Sequence, residues 1–226
     1  MNEFRIDTVG SVLVLRDDLY PGGTKARVLP RMLAVGTEYV YASPAYGYAQ
    51  IALAHAARAV GALATVFVAK RATMHPRTEE ARRAGAKVVQ VPTGYLSNVQ
   101  SKARGYCELT GATFMPFGFD SEDFLAALEG VVREAPAHPP EVWSVAGSGV
   151  LSRAMQRVWT DVPFHAVQIG QPPNVAAARL WLSPLPFERD ATEPPPFPSC
   201  SNYDAKAWAF ILRHAAPGAL FWNVAA

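Results

Sequence analysis

Three short stretches of this 226-residue chain hold residues whose types and spacing suit chemistry. The first is residues 16–27, RDDLYPGGTKAR, where Lys25 follows Gly22-Gly23. Glycines adopt positive φ and let another body come close. A lysine that opens a helix sits at the positive end of the helix dipole, which disfavours its ammonium form. A partly desolvated lysine of this kind forms Schiff bases readily. The same pattern also fits a surface turn with a solvated lysine. The second stretch, Gly147-Ser148-Gly149, joins an apolar strand to a helix. Its backbone N–H groups and the helix N-terminus suit a phosphate. It lacks the Gly-Lys-Ser/Thr of a P-loop and the full GxGxxG of a dinucleotide site. A strand–helix turn that needs glycine for packing would look the same. The third stretch is Asn202-Tyr203-Asp204-Ala205-Lys206, at the start of the last long helix. There Asp204 fits the role of a first-turn acid favoured by the helix dipole, and Tyr203 that of a half-buried aromatic.

The elements that must position these residues alternate in type. Residues 12–15 (VLVL) predict a short apolar strand leading into the Lys25 turn, and residues 25–33 after it predict a short helix that Pro30 shortens or kinks. Residues 38–42 (EYVYA) predict a strand. The alanine-rich segment after residues 43–48 predicts a helix stopped by Gly61. Residues 63–68 (LATVFV) form a continuous apolar run, as in a strand buried on both faces. The unit recurs: a helix over 75–85, a strand over 87–91, and a helix over 95–110 closed by Gly111. Asp120 is expected to cap a helix over 121–133. Strands follow at 141–146, 164–169 and 219–224, with helices after the glycine turn at 147 and over 203–214. Such alternation predicts a mostly parallel sheet in a layered α/β fold. Six prolines fall from Pro184 to Pro198. At that length the connection at 183–199 reads as a functional loop.

Composition narrows the class. Half the residues are hydrophobic and 18% charged, as in ordinary globular proteins. A net charge of +2, from 21 basic and 19 acidic residues, argues against a chain that grips nucleic acid mainly by overall charge. It leaves a nucleotide-sized substrate open. No apolar run approaches the length of a membrane span, and the first ten residues lack a signal-peptide core. We therefore expect a cytoplasmic protein with no membrane partner. Cys107 and Cys200 stand far apart with no CxxC, so neither a disulfide framework nor a metal site is expected.

Taken together and in order, the three stretches resemble the fold type II pyridoxal-phosphate (PLP) enzymes. Within them they are most similar to the aminocyclopropane-carboxylate deaminase and D-cysteine desulfhydrase group. That group's lysine motif, K-R-D-D…G-G-N-K-x-R, is matched by Arg16-Asp17-Asp18-Leu19 and Gly22-Gly23-Thr24-Lys25-Ala26-Arg27. Its late motif, Y-(E/T)-G-K, is matched by Tyr203-Asp204-Ala205-Lys206, and its following strand by residues 218–222. Order and spacing agree from Leu13 to the C-terminus. The resemblance implies an α/β fold of the tryptophan synthase beta type with two subdomains. Residues 1–36 and 117–226 would form the larger, cofactor-binding one, and residues 37–116 a smaller inserted one. It also implies pyridoxal 5'-phosphate held by Lys25 as an internal aldimine, with Lys25 later moving the α-proton. Gly147, Ser148 and Gly149 would hold the phosphate. Asp204 would pair with the pyridine nitrogen, where an anion favours the protonated ring. Tyr203 would sit near the reacting carbons.

The chain departs from the group in three ways. Helix register puts Tyr48 where the group has the asparagine that bonds the cofactor's phenolic oxygen. Thr24 replaces the asparagine before the lysine. The chain is also shorter than a typical member, mostly between Gly149 and Tyr203.

The function expected from this resemblance is that of a lyase or deaminase-type enzyme, working as a homodimer at the α-carbon of a small amino-acid-like substrate. Deamination, β-elimination and decarboxylation share the bond-breaking step. The trimmed, proline-lined mouth points to an altered, larger substrate. Such compactness is similar to bacteriophage enzymes that finish, for example by decarboxylation, amino-acid adducts on modified thymine in DNA. A modified nucleotide or DNA base is thus the alternative partner. Two rivals remain at this stage. One is a catalytically dead relative used as a binding protein, favoured by Tyr48 and opposed by the intact Lys25. The other is a nucleotide-phosphate binder that uses the Gly147 turn alone.

Overall fold

A computed structural model describes residues 3–92 and 94–226. In chain order its elements begin with β1 (Ile6–Val9), β2 (Val12–Arg16), α1 (Lys25–Val28), β3 (Glu38–Ala42), α2 (Ala49–Val60) and β4 (Leu63–Ala69). Next come α3 (Pro76–Arg83), β5 (Lys87–Val91), α4 (Leu96–Thr110), β6 (Thr113–Met115), α5 (Glu122–Glu134) and β7 (Val142–Ala146). The chain ends with α6 (Val150–Val158), β8 (Phe164–Gln168), β9 (Arg179–Leu182), α7 (Trp208–His214) and β10 (Leu220–Asn223). Residues 1–24 with 120–226 pack as one compact unit and residues 25–119 as a second. The expected divisions were after residues 36 and 116. The contacts instead assign residues 25–36 to the second unit, because α1 and the 3₁₀ turn Leu29–Arg31 pack on α2.

The larger unit is built on a six-stranded sheet of order β1-β2-β10-β7-β8-β9. Only the β1/β2 hairpin is antiparallel. Strands β7 (VWSVA) and β10 (LFWN) are buried at every position, the uninterrupted pattern of central parallel strands covered on both faces. One face packs Val14, Trp143, Val145, Val167 and Phe221 against Trp208 and Ile211 from α7. In α5, Phe124, Leu125, Leu128, Val131 and Val132 recur on one helical stripe, and all are buried. Ser121, not Asp120, caps that helix: its hydroxyl accepts from the Phe124 N–H at 3.3 Å. The Asp120 carboxylate is turned instead to Arg153 Nη2, 2.5 Å away.

The smaller unit carries a four-stranded, wholly parallel sheet of order β5-β4-β3-β6. Alanines let α2 lie close against neighbouring elements, and it ends at Gly61 in the left-handed conformation (φ 73°). Glu38 Oε1 accepts from Thr65 Oγ1 at 2.5 Å and from Tyr106 Oη at 2.9 Å, which ties β3 to β4 and α4.

Three strands go beyond the sequence expectation: β1, β6 and β9, each of three or four residues. The helix expected over 25–33 shortens to the four residues of α1, followed by the 3₁₀ turn with Pro30 near its start, where its missing N–H costs nothing. The helix expected over 203–214 divides into a 3₁₀ turn, Asp204–Ala207, and α7. No helix among the described residues is long and apolar enough to cross a membrane.

Candidate functional site

The Gly22-Gly23 turn is shaped by close backbone contact. Both residues have positive φ (87° and 70°), and a Cβ on Gly23 would stand 1.9 Å from the Val224 carbonyl oxygen. That contact excludes every other residue. The Thr24 N–H then donates to the same carbonyl at 3.2 Å. The indole Nε1 of Trp222 donates to Thr24 Oγ1 at 3.0 Å and to Asp17 Oδ2 at 2.8 Å. Asp17 is fully buried, and away from water this bond anchors the segment to β10. Lys25 follows Thr24 directly as the first residue of α1 and is half-buried.

Asp204 reaches the same stretch of chain from another direction. It is fully buried, and its Oδ2 accepts from the Ala225 N–H at 3.2 Å. The Cys200 N–H donates to the Ala225 carbonyl at 2.7 Å, so the two peptides after β10 are gripped from both sides. Tyr203, one residue before Asp204, lies on the glycine turn: a Cβ on Gly147 would come within 3.1 Å of the Tyr203 hydroxyl.

The glycine turn connects β7 to α6. Gly149 has φ 85°, and a Cβ there would fall 1.9 Å from the Asn174 carbonyl oxygen. Gly147 and Ser148 are half-buried rather than covered. Among the described residues, the backbone N–H groups of Gly147, Ser148 and Gly149 donate to no protein acceptor. Three open donors at the start of a nine-residue helix fit a phosphate, which accepts several such bonds and suits the dipole. The residues thus fit the phosphate-bearing cofactor that the sequence motifs imply, and the packing need for glycine is met at the same positions.

In the larger unit, then, the structure brings the Gly-Gly turn, Tyr203, Asp204 and the Gly147–149 turn to the ends of β7 and β10. Lys25 is one peptide bond beyond the part anchored there. Tyr48 belongs to the smaller unit, immediately before α2. The Arg77 guanidinium lies 4.1 Å from its ring centroid.

Sequence reasoning assigned no role to several neighbouring groups. Arg16 makes a paired contact with Asp18 (2.8 and 2.7 Å) and a further one with Asp7 at 2.5 Å. The bonds from Arg5 and Arg16 hold the Asp7 carboxyl below its ordinary range. Lys206 is buried. Its Nζ donates to the carbonyls of Pro186 at 2.7 Å and Phe187 at 3.4 Å, and burial pushes its pKa down. Asn202 Nδ2 also donates to the Phe187 carbonyl at 3.0 Å, and Asn223 Nδ2 to that of Pro198 at 2.8 Å. These bonds strap the proline-rich connection of residues 183–199 to the site elements. A run of prolines lacks N–H donors, so its carbonyls were the available signal that side-chain donors would be needed.

The fold defined by these two sheets is that of the type II PLP enzymes. No protein-family model and no curated protein matches the chain. Solved structures do, at low identity. A structure described as an ACC deaminase homologue superposes with a TM-score of 0.79, at 13% identity over 95% of this chain and 84% of its own. A threonine deaminase from T.th. gives 0.68, at 18% identity over 93% and 85%. Diaminopropionate ammonia lyase of Escherichia coli gives 0.67, at 13% identity over 95% and 77%.

Proposed function

We propose that this chain is a PLP-dependent enzyme of lyase or deaminase type that acts at the α-carbon of an amino-acid-like substrate. What supports the reading is the convergence of the Gly-Gly-Thr turn before Lys25 and of Asp204 on the one peptide group that joins Val224 to Ala225. When bound, the cofactor supplies an electron sink for charge that develops at the α-carbon. In this reading Lys25 would hold the cofactor through its amine, and the same amine would carry the α-proton. The Asp204 carboxylate would favour a protonated cofactor ring. The three N–H groups at 147–149 would hold its phosphate. Tyr203, against Gly147, limits the space in which the substrate turns. Deamination, β-elimination and decarboxylation differ in which bond the site aligns.

A second form of the reading places the amino-acid group on a modified nucleotide or DNA base. It is favoured by the charge distribution of residues 25–119, taken up below.

The test is α-proton exchange. The parent protein supplied with PLP is incubated in heavy water with a panel of amino acids, and NMR follows loss of the α-proton signal. Exchange in the parent and none in Lys25→Ala supports the proposal. Exchange at equal rates in both, or in neither, rejects it.

A further inference from the structure

The net charge of +2 conceals a partition. Residues 25–119 hold 12 Lys and Arg against four Asp and Glu, a net of +8. Residues 1–24 with 120–226 hold nine against 15, a net of −6. Within the smaller unit the excess is also uneven. Because β3, β4 and β5 are adjacent and parallel, the connections that leave their C-terminal ends emerge along one edge of the sheet. Those connections are residues 43–48 (SPAYGY), 70–75 (KRATMH) and 92–95 (PTGY). They carry Lys70, Arg71, His75 and three tyrosines, with Arg77 just beyond, and no carboxylate. Of the four acids, Glu38 starts β3 at the opposite edge, Glu108 lies in the last turn of α4, and Glu79 and Glu80 lie within α3, Glu79 engaged by Arg82.

The edge is ordered by its own aromatic and basic groups. The Arg71 guanidinium lies 5.6 Å from the Tyr46 ring centroid, and the Tyr46 and His75 rings pack at 4.4 Å. Arg77 lies over Tyr48 and also donates to the Tyr46 carbonyl. Lys70 and Arg71 are exposed, and neither forms an ion pair among the described residues. Tyr95 is 88% exposed. A small anionic substrate needs one or two cations. A row of cations interleaved with flat aromatic rings is matched instead by an extended polyanion that carries flat bases.

We propose that this edge of the smaller unit binds a nucleic-acid strand, with phosphates on Lys70, Arg71 and Arg77 and a base stacked on Tyr95. The inference deepens the second form of the functional reading, yet it stands on charge and geometry that need no cofactor.

The experiment measures fluorescence anisotropy of a labelled single-stranded oligonucleotide of about 20 nucleotides, with the full chain and no PLP, between about 50 and 200 mM salt. The parent should bind, with affinity falling linearly in log–log form as salt rises. Lys70→Ala/Arg71→Ala should weaken binding about tenfold or more and reduce the salt slope by about 1–2. Arg58→Ala/Arg83→Ala removes the same charge from helix ends at the far edge and should change affinity less than about twofold. Tyr95→Ala should weaken binding about tenfold with the slope unchanged. Equal losses in the two double variants would overturn the proposal, as would equal displacement of the oligonucleotide by polyglutamate of matching charge. A parent that exchanges the α-proton of a free amino acid but binds no oligonucleotide also overturns it, and leaves the enzymatic reading intact.

Discussion

Gly149→Ala tests the glycine turn most sharply, because two separate costs can be worked out for it. The residue sits at φ 85°, a left-handed conformation that costs an alanine about 1–2 kcal/mol. Its new Cβ would also fall 1.9 Å from the Asn174 carbonyl oxygen and 2.6 Å from the carbonyl carbon, so backbone has to move. That backbone is held: Gln156 Nε2 donates to the Val175 carbonyl at 2.8 Å, and Gln156 Oε1 accepts from the Ala177 N–H at 2.9 Å. Overpacking of this kind adds about 1–3 kcal/mol, which brings the total to about 2–5 kcal/mol. For a chain of this size each kcal/mol lowers Tm by about 2–4 °C, so the expected drop is about 4–20 °C. Gly170→Ala is the internal control. Gly170 has nearly the same φ, 81°, but nothing lies within 4 Å of its Cβ position, so only the conformational cost applies. Thermal unfolding by far-ultraviolet circular dichroism, with and without added PLP, reads both. PLP should raise the Tm of the parent and of Gly170→Ala, because a ligand of the folded state stabilises by mass action. It should raise that of Gly149→Ala little. Equal Tm drops for the two variants, or full PLP stabilisation of Gly149→Ala, would refute the reasoning.

Three further outcomes are expected. Asp204→Asn keeps an acceptor for the Ala225 N–H, so stability should change by no more than about 1 kcal/mol, while single-turnover α-proton exchange falls about a hundredfold or more. A normal rate would leave Asp204 as a structural acid. Trp222→Phe loses the indole bonds to Asp17 and Thr24 and should cost about 1.5–3 kcal/mol in urea unfolding. His165 accepts from Trp181 Nε1 at Nδ1, 3.1 Å away, which requires a neutral ring, and burial depresses its pKa below the ordinary 6.5. The unfolded chain then binds the proton first, so this part of the stability is present above about pH 6.5 and fades as pH falls toward the folded-state pKa. Glu141 Oε2, 3.6 Å away, opposes the shift. In His165→Gln the slope of stability below about pH 6.5 should flatten, and an unchanged slope would count against the assignment.

The longer parallel strands were legible because they are largely apolar runs near a glycine, and α2 because alanine is followed by a glycine that can adopt positive φ. Strands β1, β6 and β9 were not: each is short and half-exposed, so its pairing is decided by the neighbouring strand and not by its own pattern. Asp120 was the wrong cap because Arg153, far along the chain, competes for its carboxylate. At the candidate site, glycines 23 and 149 announced close contacts but not the partners, Val224 and Asn174, which only folding brings near. The burial of Asp17 and Lys206 was equally hidden, since each charged group is answered by a partner distant in sequence. The uneven charge became visible only once the boundaries of the two units were known.

Covalent attachment at Lys25 is the claim from which the enzymatic reading follows. The chain is mixed with PLP, reduced with borohydride, digested and mapped by mass spectrometry. One reduced pyridoxyl adduct is predicted, on the peptide that contains Lys25, with none formed in Lys25→Ala. Lys206 provides the built-in contrast, since burial lowers its pKa. An adduct on Lys206, or labels spread evenly over the surface lysines, would contradict the account.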